Sequence, residues 1–224
     1  MQTYLERLLA NASEPLRQPP EARPAFLAGD RGNELWSLLQ THNGFYAFEN
    51  SLHLFPSGAH TLEQWNSLHL FPSGGQDAHT LERWNAQTLW ISHYRDLTDG
   101  CIFFAEDVFG GQFAIKCDEV HSFDPETGET EWVAADIEGW ARAILDDYEV
   151  LTGYPLARAW QVKYGALAAG HRLIPKTPFV AGGAFELANL YAADAVQGMR
   201  FRADLAHQIR GVADGSQIRI DVMK

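Results

Sequence analysis

Sulfur, basic charge and long apolar runs are scarce in this chain, and each shortage removes a class of protein. The 224 residues include two cysteines, Cys101 and Cys117, without CxxC spacing. That pattern argues for buried thiols and against a disulfide scaffold or a thiolate metal site. No apolar stretch approaches the roughly 20 residues that a membrane-crossing helix requires. The opening MQTYLERLLANASEPL carries polar residues every few positions instead of a signal-peptide core, so a cytoplasmic protein is expected. The GxSxG, GxxxxGK[ST], HExxH and GxGxxG patterns are missing as well. Gly110-Gly111 comes nearest to a glycine loop, but it sits between two strand-like runs, where no helix N-terminus is available to hold a phosphate.

The shortage of basic residues is uneven. Residues 1–150 hold 8 Lys and Arg against 24 Asp and Glu, a balance of −16, whereas residues 151–224 hold 9 against 5, a balance of +4, giving −12 for the whole chain. An anionic field of this kind repels nucleic acid and membrane surfaces and speeds encounter with a basic partner. Solubility alone also accounts for an acidic surface.

What is present is organised around Cys101 to Val133. Two apolar runs, Ile102–Ala105 and Gln112–Ile115, flank Glu106-Asp107 and Gly110-Gly111, which lets the backbone reverse; this predicts a hairpin. Val120–Phe123 alternates, Asp124-Pro125-Glu126-Thr127-Gly128 carries turn chemistry, and an extended pattern resumes at Glu131, so a meander is expected. Upstream, Gln2–Asn11 and the stripe Leu35, Trp36, Leu38, Leu39 predict helices, the second stopped by Asn43-Gly44. Downstream, Ile137, Trp140, Ala141, Ile144, Leu145 and Tyr148 predict an amphipathic helix capped by Asp136.

Taken in chain order, LWSLLQTHNGFYAFENSLHLFP at Leu35–Pro56, Trp84, Trp90, FFAEDVFGGQFAI with FDPETGE, and the helix from Ile137 to Tyr148 resemble the SUKH superfamily over Gly32 to Glu149. The resemblance implies an α+β fold, a mainly antiparallel twisted sheet with helices packed on it, over residues 1–150. Members include bacterial immunity proteins that bind and neutralise polymorphic toxins, often nucleases, and fungal regulators thought to recruit other proteins. It therefore implies a cognate toxin, basic in character, as partner, or alternatively a cytoplasmic regulatory scaffold. No reaction, metal or cofactor is expected.

The chain departs from that pattern twice. Ser51–Asn66, SLHLFPSGAHTLEQWN, recurs as Ser67–Asn85 with three residues inserted and one replaced. Two copies are too few for a solenoid. The economical threading takes Leu52–Phe55 of the first copy as the strand and Thr80–Asn85 of the second as the helix, with about twenty residues between them as a loop or an improvised hairpin. His60-x-x-Glu63 and His79-x-x-Glu82 place an imidazole and a carboxylate on one helical face, but a closed metal site needs more ligands, and helix-start chemistry explains the same residues. The second departure is residues 151–224. A helix at Ala157–Ala166 breaks at Gly165, Arg172–Pro175 and Pro178–Val180 read as extended, Phe185–Tyr191 as a strand, Val196–Ile209 as a helix after Asp194, and Gln217–Val222 as a last strand. This ββαβ extension is expected to pack on the first unit.

Glu106 and Asp107 are adjacent on a strand and point to opposite faces, which disfavours a catalytic dyad. Gathered at the meander's turns, Glu106, Asp107, Asp124, Glu126, Glu129 and Glu131, with Phe109 and Trp132 as apolar anchors, are the candidate partner-binding surface. Phe109 and Trp132 are equally well placed to be core.

Overall fold

A computed structural model describes residues 2–58 and 79–213. Six antiparallel strands form one sheet in sequence order: β1 (Phe45–Ala47), β2 (Leu52–Leu54), β3 (Ile102–Asp107), β4 (Gln112–Lys116), β5 (Glu119–Phe123) and β6 (Thr130–Ala134). The fold is α+β. The β3–β4 hairpin turns at Gly110, whose φ of 82° suits glycine.

Each face of the sheet is covered because strand side chains alternate. On one face Phe104 and Phe113 meet Trp140 edge-on at 5.1 and 5.8 Å. Trp140 belongs to α4 (Ile137–Asp146), which Asp136 caps by accepting from the Gly139 amide at 2.6 Å. Glu138 of α4 accepts from the Leu5 amide at the start of α1 (Tyr4–Leu9), so this helix is held by a carboxylate at its positive end. Glu34, on α2 (Gly29–Thr41), in turn accepts from the Ile137 amide. On the other face Phe103 and Phe123 pack with Trp90 and Tyr94. There Trp84, on α3 (Leu81–Trp84), donates its indole N–H to Gln112 at 2.7 Å.

The duplicated segment is threaded as the residues suggested at both its ends: β2 comes from the first copy, and α3, capped by Thr80, from the second. Residues 59–78, with His60 and Glu63, lie outside the described residues. The two ends are adjacent. The Leu81 amide donates to Pro56 O at 2.8 Å, and Glu82 accepts from Ser57 Oγ and the Gly58 amide. Glu82 therefore ties the two ends together. Deleting residues 59–77 joins Gly58 to Ala78 and leaves a single copy, SLHLFPSGAHTLERWN. Because the two bonded ends are then joined by a shorter connection, which costs less entropy to close, the deletion is expected to keep the fold and raise stability by about 1–2 kcal/mol. Urea unfolding would expose a loss of that size just as clearly.

Beyond α4 come α5 (Tyr148–Thr152), α6 (Tyr154–Tyr164), a second sheet of β7 (His171–Pro175) and β8 (Leu190–Asp194), and α7 (Ala195–Ile209). Helix α6 stops at Gly165, as its sequence predicts. Phe179–Ala181 and Leu187–Asn189 are short 3-10 turns, not extended pieces, and the strand begins only at Leu190. The cause is Asn189. Its side chain donates to Thr177 O and Ala184 O and accepts from the Thr177 amide, tying 177–189 into a compact loop. Gln217–Val222 lies outside the described residues. Ala195, Val196, Met199, Ala203 and Ala206 of α7 join the same core as the six-stranded sheet. No helix among the described residues is long and apolar enough to cross a membrane.

Candidate functional site

In a meander, alternate turns fall at the same end of the sheet. The β3–β4 and β5–β6 turns therefore share one end, and the β4–β5 turn with Asp118 lies at the other, where Asp118 accepts from the Arg31 amide in the first turn of α2. The shared end is the candidate site. Asp107 Oδ1 accepts from the amides of Phe109 and Gly111 at 2.7 and 2.8 Å, which shapes the first turn. Asp124 shapes the second by accepting from the Glu126 amide at 2.7 Å, while Tyr94 anchors it through a hydroxyl donated to Pro125 O.

The 177–189 loop closes over these turns. Phe179 and Phe185 stack with centroids 3.8 Å apart, and Phe109 meets both edge-on at 5.5 and 6.1 Å. The Val180 amide donates to Glu126 at 2.9 Å. Gly153, just after α5, lets Phe109 approach, since a Cβ there would lie 2.4 Å from its ring. Arg202 of α7 reaches under the hairpin and donates to Phe109 O at 2.6 Å.

Together these parts enclose an open-mouthed cavity of about 380 Å³. Six of the eight predicted residues line it: Asp107, Phe109, Asp124, Glu126, Glu129 and Glu131. Asp124, Glu129 and Glu131 are exposed at its rim, and Phe185 is 66% exposed beside them. Glu126 is buried, and burial raises its pKa against the Val180 hydrogen bond. Burial likewise pushes Asp107 up to about 7, although two backbone amides pull it the other way. Asp107 and Glu126 are thus engaged in holding the turn and the loop, and the rim carries the surface charge.

Two predicted residues do not belong. Glu106 is 2% exposed and takes part in a buried cluster, so it presents no carboxylate to a partner. His53 Nδ1 lies 3.0 Å from Glu106 Oε1, and Arg172 Nη2 donates to the same oxygen. Burial alone would raise Glu106; the Arg172 charge and the His53 hydrogen bond reverse that and hold it at about 2. Trp132 is 60% exposed but turns away from the cavity, because it follows Glu131 on a strand and successive side chains face opposite ways.

Phe179, Phe185 and Arg202 join the site through tertiary packing that no local sequence pattern marks. Pro178-Phe179 and Phe185 flanking Gly182-Gly183 signal only a turn with a paired aromatic.

No protein-family model matches this chain. No curated protein matches it either. Among solved structures it is similar to the crystal structure of Atu4351 from Agrobacterium tumefaciens, at 13% identity over 88% of this chain and 87% of that one, with a TM-score of 0.49.

Proposed function

We propose that this chain is a non-catalytic, immunity-type binding protein that neutralises a basic toxin domain by receiving its cationic side chains at the acidic cavity. One observation carries the reading: exposed carboxylates of Asp124, Glu129 and Glu131 ring a cavity walled by Phe109, Phe179 and Phe185. Carboxylates attract a lysine or arginine head, aromatic faces attract the same cation, and its aliphatic stem gains apolar contact. About 380 Å³ suffices for one or two such side chains. A nuclease toxin with a basic substrate channel would offer them, with rapid electrostatically steered association.

Reversing the rim with Asp124→Lys, Glu129→Lys and Glu131→Lys is expected to weaken the complex with a toxin encoded beside this gene by ~100-fold or more, mainly through exposed charge. The conservative changes Asp107→Asn and Glu126→Gln should shift affinity by no more than about threefold, the size of an ordinary surface effect. Calorimetry at low and high salt reads both. Failure of the wild-type chain to form any complex at low salt would sink the proposal. A partner that is harmless when expressed alone would favour the regulatory scaffold.

A further inference from the structure

We infer that the outer edge of β6 receives an extended segment of the partner as an added strand; this rests on the reading that the partner is basic. The two edges of the six-stranded sheet are treated differently. Along β1, the N-terminal segment bridges Ala47 through Ala12, and the Ser13 amide donates to Tyr46 O at 2.7 Å. Along β6, no strand lies outside among the described residues.

The backbone groups on that edge can be assigned. The Asp124 amide donates to Glu129 O at 3.0 Å, which makes 124 and 129 a bonded pair. Alternation then makes Ser122 and Glu131 bonded, while Phe123 with Thr130 and His121 with Trp132 are not. Thr130 and Trp132 therefore turn their N–H and C=O groups outward. Sheets normally protect such an edge with proline, lysine or a bulge. Thr130-Glu131-Trp132 has no proline or lysine, and the extra residue of the β5–β6 ladder is Val133, beyond this run.

Side-chain chemistry selects the occupant. Glu131 faces the cavity and Trp132 the opposite side, so an added strand would meet a carboxylate on one face and an exposed indole on the other. A second copy of this chain paired across a two-fold axis would place its acidic residues against these, which repels. An alternating strand fits instead, with lysine or arginine opposite Glu131 and an aliphatic residue opposite Trp132.

The probe is a capped Val-Lys-Val-Lys-Val-Lys peptide, compared with the same peptide N-methylated on the alternate amides that would face β6. Methylation preserves charge while removing main-chain donors and placing a methyl group where the two strands would meet. Expected is roughly tenfold weaker binding on methylation, the worth of one or two hydrogen bonds, and slowed amide exchange at Thr130 and Trp132 with the unmethylated peptide. Trp132→Pro, which removes an outward N–H and no bond within the sheet, should weaken binding similarly; if it misfolds, the peptide comparison still decides. Equal binding of both peptides with unchanged exchange would overturn the added strand, while weakened binding of both by Glu131→Lys would leave the acidic cavity standing. No binding of either peptide would overturn both.

Discussion

Arg172→Met is expected to destabilise the protein by about 3–5 kcal/mol, because it strands Glu106 as an uncompensated buried charge. Arg172 and Glu106 are 4% and 2% exposed in their side chains, and His53 beside them is equally enclosed. Tyr46 stacks on His53 at 4.3 Å, so little water can reach the cluster. The double replacement Glu106→Gln with Arg172→Met removes both charges together and should recover a large part of the loss. Urea unfolding of wild type, single and double variants measures the coupling. The same change bears on the cavity. Arg172 and the Leu173 amide, which donates to Val108 O at 2.8 Å, fasten β7 to the main sheet, and the loop bearing Phe179 and Phe185 follows β7 directly.

The cluster also sets a pH signature. Burial, more than the opposing bond to Glu106, lowers His53 from 6.5 to about 4, so the unfolded chain binds its proton first and stability falls as pH drops from 6.5 to 4. Glu106, held at about 2 against an ordinary 4.5, loses its contribution between pH 4.5 and 2. Asp107 acts in the opposite sense: raised to about 7 from 3.8, it favours the folded state more as pH falls across that window. The His53 and Asp107 effects oppose each other between pH 6.5 and 4, so stability should change little there and fall steeply below about pH 4. Asp107→Asn removes the offset, and its stability should begin to decline already near pH 6.5.

Trp90→Ala is expected to cost about 3–5 kcal/mol, through lost burial and the cavity left behind. Trp90 is fully buried, with Phe103, Trp84 and Tyr94 rings at 4.9, 5.5 and 5.5 Å. Its indole N–H has no hydrogen-bond partner among the described residues. Trp90→Phe should therefore cost far less, about 1–2 kcal/mol, since it keeps a ring and removes an unsatisfied donor. Thermal unfolding of the two variants separates these cases, and equal losses would contradict the account. Because Tyr94, packed on Trp90, anchors Pro125, the alanine variant should also loosen the Asp124 turn at the cavity rim.

How much of this could be read beforehand depended on the range of the interaction concerned. Asp136 as a cap, Gly165 as a stop and Gly110 as a hairpin turn are local matters of backbone sterics and neighbouring amides, and they were legible in a few residues each. So were the two ends of the duplicated segment, because a strand and a capped helix each carry their own pattern. The strand pattern of Phe185–Tyr191 yields to a loop because Asn189 bonds to Thr177 and Ala184, and no strand periodicity can report a side chain folding its own loop.

The chain's pattern of turns and alternating residues determined by itself an antiparallel meander with acid at its corners, since hydrophobic period and turn chemistry act between near neighbours. Which carboxylates reach solvent was decided only in the folded molecule. Glu106 and Asp124 look alike in sequence, but an arginine 66 residues away lies against the first, while the second stands at a rim in water. Long-range placement of charge, set by how β7 and α7 pack onto the sheet, thus separates a buried ion pair from a surface that can meet a partner.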